Sequence, residues 1–174
     1  MSIMKDNNNI DLLSSKCKCG DNFFIKGLVP SESQSELLYS KNKKTMYRET
    51  IKKGAFAHAL EVNIPKLLIN HNHSKELKCK SLKIYESKYG LEFETVVEYN
   101  RELAENYSNI KSLSFGFSAD VDLWIEEDEV LKRNIYFFKE LTEISILINN
   151  KPAYEEAKVV VIPIRKEIEK LKVG

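Results

Sequence analysis

The clearest pattern in the chain runs from Lys111 to Ala119. Leu113, Phe115, Phe117 and Ala119 alternate with Ser112, Ser114, Gly116 and Ser118, which predicts a strand with one apolar face. The other side of such a strand normally carries charged or long polar groups. Here it holds only hydroxyls and a glycine, leaving open backbone against which something can lie. A second alternation sets Leu91, Phe93, Thr95, Val97 and Tyr99 against Glu92, Glu94, Val96 and Glu98. Together with Leu77–Tyr85 it predicts a hairpin, linked by Ser87-Lys88-Tyr89-Gly90, whose glycine supplies a positive φ.

Shorter apolar runs predict further strands at Asn22–Val29 (ended by Pro30), Lys66–Asn70 (introduced by Pro65 and closed by His71), Asn134–Lys139, Leu141–Ile148 and Val159–Ile162. Glu49–Leu60 reads as a turn into a short helix that bends at Gly54 and buries Ala55, Phe56, Ala59 and Leu60. Arg101–Ile110 reads as a helix capped by Asn100, and Pro163–Val173 as a charged amphipathic helix with Ile164, Ile168 and Leu171 on one side. Ser31–Lys44 reads as a mobile polar loop and Glu126–Glu129 as an acidic turn. Residues 1–21 form a poorly ordered leader and 22–174 a single domain, with the C-terminal helix at about 163–173. Strands outnumber helices and no repeat is visible, so the expected class is mainly β (α+β), a mixed sheet or barrel with a few helices.

Charge removes several function classes. Across 174 residues, 27 Lys and Arg nearly cancel 26 Asp and Glu, so no field attracts nucleic acid or an anionic membrane. No apolar run reaches the length of a membrane span, and Met1–Asn9 lacks the apolar core of a signal peptide. The 3 cysteines (Cys17, Cys19, Cys79) form no disulfide framework, which points to a reducing, cytosolic compartment.

Candidate chemistry is sparse. A serine on the small-residue face of 111–119 is either a nucleophile or part of a loosely packed surface, and needs a base to count as the former. Of the 3 histidines, His58 sits within the Ala-rich helix as a packing or capping residue, whereas His71 closes a buried strand and is held as a general base must be. His71-Asn72-His73 could give two ligands to one zinc, but a complete site needs three or four. The same three residues spell the name of a nuclease motif, without the cysteines or basic patch that would support it. Glu143 lies in a strand dominated by Leu, Ile and Ser, where an unpaired charge is costly. It is either an edge carboxylate reaching water or one that orients a histidine. Cys79, between Lys78 and Lys80, has neighbours that favour a thiolate but a strand position that suits a small apolar residue.

Taken in order, five segments resemble the prohead (procapsid maturation) serine proteases of tailed phages, relatives of the herpesvirus assemblins. They are Lys53-Gly54-Ala55-Phe56, Leu67-Leu68-Ile69-Asn70-His71-Asn72, Gly90-Leu91-Glu92-Phe93-Glu94, Ser112-Leu113-Ser114-Phe115-Gly116-Phe117 and Leu141-Thr142-Glu143-Ile144-Ser145, spanning roughly residues 22–162. The family often has Asp after its histidine, where this chain has Asn72. The resemblance implies an assemblin-like antiparallel β-barrel surrounded by a few helices. By position it implies His71 as base, Ser114 as nucleophile and Glu143 as third member, with Ser112, Gly116 and Ser118 lining the path of an extended substrate. It implies no cofactor and no metal. The substrates implied are the phage scaffold or the scaffolding segment of the major capsid protein, and the protease itself, with self-association of the chain, inside the assembling procapsid in the bacterial cytoplasm. Two other classes compete: a catalytically silent capsid-associated barrel, and a metal-dependent hydrolase built on His71 and His73.

Overall fold

The computed structural model describes residues 21–127 and 129–165. In chain order these form β1 (Asn22–Pro30), β2 (Leu38–Ser40), β3 (Thr45–Ile51), α1 (Ala57–Val62), β4 (Lys66–Ile69) and β5 (Asn72–Glu76). Then come β6 (Cys79–Ser87), β7 (Gly90–Val97), α2 (Arg101–Asn106), β8 (Ser112–Glu127), β9 (Val130–Leu147) and β10 (Lys158–Ile164). The protein is mainly β, as the sequence predicts. One sheet runs in the order β2-β3-β9-β8-β10-β1-β7-β6, with β4 joined to β9 and β5 to β4. Among the described residues β6 does not pair with β2, so the sheet is not closed into the barrel that the resemblance implies.

The pairing is antiparallel except at β9, which takes β3 and β4 as parallel neighbours along successive parts of one edge. Its other edge carries β8 in antiparallel register from Ser112↔Leu147 to Glu127↔Val130. The two strands expected at Asn134–Lys139 and Leu141–Ile148 are therefore one long strand. What looks like a break in the sequence is a bulge. Gly116 pairs with Glu143 but Phe117 pairs with Leu141, leaving Thr142 as the extra residue. The bulge lets Leu141 and Ile144, an odd spacing apart, both enter the core, while Glu143 and Ser145 point the other way.

β8 shows why its serines face outward. Leu113 and Phe115 are buried, and Phe115, Phe117, Phe138, Phe56 and Tyr154 form an aromatic cluster with neighbouring ring centroids 4.6–6.2 Å apart. Burying each such ring stabilises by roughly 1.5–3 kcal/mol, and a one-residue slip would expose the whole apolar set.

The predicted hairpin is β6–β7, with Leu91, Phe93, Thr95 and Val97 buried and Gly90 at φ +136°. Asn100 caps α2, its side chain accepting from the Leu103 N–H at 3.1 Å, but the helix ends at Asn106 rather than Ile110. Three expectations change. Ser31–Lys44 is not a free loop: Gln34 bridges to Thr50 and β2 pairs with β3. The residues read as the turn into α1 begin in β3, whose Glu49 is buried in an ion pair with Arg133. Pro163 and Ile164 belong to β10, Arg165 follows it without helix, and residues 166–173 of the predicted C-terminal helix, like residues 1–20 of the predicted leader with Cys17 and Cys19, lie outside the described residues.

Candidate active site

β4 ends at Ile69, one residue earlier than expected, and Ile69 pairs with Asn72 across a two-residue loop. Both loop residues have positive φ, Asn70 at 52° and His71 at 58°, the signature of a tight primed hairpin turn. Asn tolerates this conformation. Histidine does so at a cost of about 1–2 kcal/mol, so something else must hold it there.

The Asn70 side chain supplies part of the restraint. Its amide donates to the Ile148 carbonyl at 3.0 Å and its oxygen accepts the Ile148 N–H at 2.8 Å, while its own backbone N–H donates to the Ile146 carbonyl at 3.0 Å. Ser145 supplies the rest, accepting the His71 backbone N–H at 3.0 Å. Both anchors come from the C-terminal part of β9 and Ile148 just beyond it, where parallel pairing sets Lys66 opposite Glu143 and Leu68 opposite Ser145.

That register brings two of the expected residues together. His71 Nδ1 lies 2.7 Å from Glu143 Oε1, and Ser145 Oγ donates to Glu143 Oε2. Glu143 is 4% exposed and Ser145 fully buried, whereas the His71 side chain is 49% exposed. The charge that looks costly in the sequence is thus paired at both oxygens. With Nδ1 donating to the carboxylate, the neutral ring leaves Nε2 as an acceptor.

Ser114 lies on β8, and no hydrogen bond joins its hydroxyl to His71 among the described residues. It pairs directly with Ser145, two residues from the Gly116–Glu143 pair, and side chains of directly opposed residues share a face of the sheet. Ser114, Ser145, Gly116 and Glu143 therefore lie on one face, beside the turn that carries His71. Gly116 leaves room there for the Glu143 carboxylate. A Cβ at this position would sit 2.8 Å from Glu143 Oε1 and 2.7 Å from Thr142 Oγ1. Ser112 begins β8 opposite Leu147 and Lys158. Ser118 shares the Ser114 side of β8, but its hydroxyl donates to Glu140 Oε1 at 3.2 Å.

A comparison with protein families matches residues 32–172 to the caudovirus prohead serine proteases. The chain belongs to that family. No curated protein and no solved structure matches it. Membership makes this prohead protease a serine peptidase of phage procapsid maturation, a family that acts on capsid and scaffold proteins.

The remaining candidates stand apart from this cluster. His58 is exposed on α1, 4.0 Å from Glu61 Oε2. His73 is exposed on β5. Among the described residues no three His, Cys, Asp or Glu side chains gather as a metal ion requires. Cys79 is exposed, and desolvation, helped by Glu76, pushes its thiol up despite the flanking lysines. No helix among the described residues of the prohead protease is long and apolar enough to cross a membrane.

Sequence reasoning names Ser145 only within the segment that carries Glu143 and gives Asn70 no role. The one signal for Asn70 is its type, since Asn is favoured in turns of positive φ. Nothing in the sequence pairs Ser145 with the backbone of a residue 74 positions earlier.

Proposed function

We propose that Ser114, His71 and Glu143 are the catalytic triad of an endopeptidase that matures the procapsid from inside. The observation that carries this reading is the Glu143–His71 hydrogen bond at 2.7 Å, with Glu143 two residues along β9 from Ser145, the partner of Ser114. In the reaction Ser114 Oγ attacks the scissile carbonyl while His71 Nε2 takes its proton. Glu143 fixes the tautomer and stabilises the imidazolium. Collapse of the tetrahedral intermediate breaks the C–N bond, and His71 returns the proton to the leaving amine. Water then attacks the acyl-enzyme by the same proton route and regenerates Ser114. Backbone N–H groups serve as the oxyanion hole, because β8 has no Asn or Gln to do so.

The substrate binds as an extended strand along β8. Leu113 N–H donates to Ala157 O and Lys111 O accepts from Val159 N–H, so this edge of β8 is covered at its start. Beyond Leu113 it has no backbone partner among the described residues. By strand alternation the N–H and C=O of Phe115 point to that open edge, next to Ser114. Ser112, Gly116 and Ser118 leave room for the substrate on the same side.

The substrates are the scaffold, or the scaffolding segment of the major capsid protein, and the protease itself. Co-expression with the capsid and scaffold proteins, read by intact mass, tests the reading. Wild type should yield shortened products that Ser114→Ala does not. Normal processing by Ser114→Ala would overturn it, and no processing by either would leave a silent capsid-associated fold.

A further inference from the structure

The Ser145 hydroxyl sits where three strands meet, opposite Ser114 on β8 and Leu68 on β4. It is fully buried and uses both of its hydrogen-bonding roles within the site. As donor it takes Glu143 Oε2, which leaves Oε1 as the oxygen facing His71. As acceptor it takes the His71 N–H, in a turn whose left-handed backbone costs energy to maintain. One oxygen atom therefore fixes the rotamer of the acid and the position of the base. A carboxylate on a strand has several rotamers, and the Ser145 donor favours the one that meets Nδ1.

We infer that Ser145 is a positioning residue of this site, orienting Glu143 toward the ring of His71 and anchoring the turn that presents that ring. The inference rests on the triad proposed above. It predicts that the β-hydroxyl at 145 matters to turnover although it touches neither substrate nor nucleophile.

A fluorophosphonate probe, which phosphonylates an activated serine and releases fluoride, tests this without knowledge of the natural cleavage site. Its second-order labelling rate is measured for wild type, Ser145→Ala, Ser145→Cys, Glu143→Gln and the Ser145→Ala/Glu143→Gln pair. Ser145→Ala should label about 10- to 100-fold more slowly, the range typical when a supporting hydrogen-bond partner is removed. Ser145→Cys, close in size and a weaker donor, should fall between and keeps the test open if the alanine variant folds poorly. Because Ser145 acts through the same acid, the double variant should lose far less than the product of the single losses. A purely structural serine would give multiplying losses. The imidazole ¹⁵N shifts of His71 should move from one tautomer in wild type toward a mixture in Ser145→Ala. Wild-type labelling and an unchanged tautomer in Ser145→Ala, or losses that multiply, would overturn the inference while leaving the triad intact. Failure of the triad is distinguishable, because wild type would then not label at Ser114, or His71→Ala would label equally well.

Discussion

Glu143 and His71, 72 positions apart in the chain, meet through a 2.7 Å contact between Oε1 and Nδ1 because β4 runs parallel to β9. The contact gives the carboxylate an orienting task. Glu143→Gln keeps the shape but cannot hold the imidazolium, so cleavage should fall about 10- to 100-fold, less than the ~10⁴ of the classical aspartate partner. His71 is half exposed, which is why the smaller figure applies. A rate within twofold of wild type in a scaffold-processing time course would contradict the assignment.

Gly116 is coupled to that carboxylate by space alone. Gly116→Ala would place a methyl 2.8 Å from Glu143 Oε1, closer than real Cβ contacts allow, and the acid must move. Activity should drop at least tenfold, about the loss expected when an orienting acid leaves its place. The neighbouring change Ser118→Ala should keep most activity, since its hydroxyl meets Glu140 instead. Parallel labelling and thermal-melt measurements on the two variants separate these outcomes.

The turn conformation of His71 makes a stability prediction independent of catalysis. Both His71→Ala and His71→Gly remove the ring and should be inactive. At φ 58° only glycine relaxes, so the glycine variant should be about 1 kcal/mol more stable than the alanine variant in urea denaturation. Equal stability would mean that the left-handed backbone is not maintained in solution.

Away from the site, Glu49 is buried, accepting from Arg133 at 3.2 Å and from the Tyr154 hydroxyl at 2.9 Å. Desolvation nonetheless holds its carboxyl above the ordinary value of 4.5, outweighing both partners. The folded state thus retains a proton that the unfolded state has lost. This contribution to stability is complete below the ordinary value and lost as pH rises through the higher folded one. Relative to Glu49→Gln, which does not titrate, the wild-type urea midpoint should decline as pH rises from 4 toward 7. A relative midpoint that rises over that range would show that Arg133 and Tyr154 dominate instead.

Local chemistry made much of this legible in sequence. The Leu113–Ala119 alternation, the β6–β7 hairpin and the Asn100 cap each depend on residues within a few positions of one another. The non-local contacts were not legible. Glu49 reads as the start of a turn because its partners, Arg133 and Tyr154, lie 84 and 105 positions away. Leu141-Thr142-Glu143 looks like a strand start because a bulge breaks its period. His71, Ser114 and Glu143 could be named by resemblance, but the reciprocal Asn70–Ile148 clamp and the double role of Ser145 follow only from the parallel register of β4 on β9.

The central claim is that Ser114 is the activated nucleophile, and the site of fluorophosphonate attachment tests it most directly. Wild type and the variants Ser112→Ala, Ser114→Ala, Ser118→Ala and His71→Ala are treated with the probe, digested, and mapped by mass spectrometry. The adduct should lie on Ser114 in wild type, persist in Ser112→Ala and Ser118→Ala, vanish in Ser114→Ala and become nearly undetectable in His71→Ala. An adduct on Ser112 or another serine, or labelling of Ser114 that is unchanged without His71, would contradict the account.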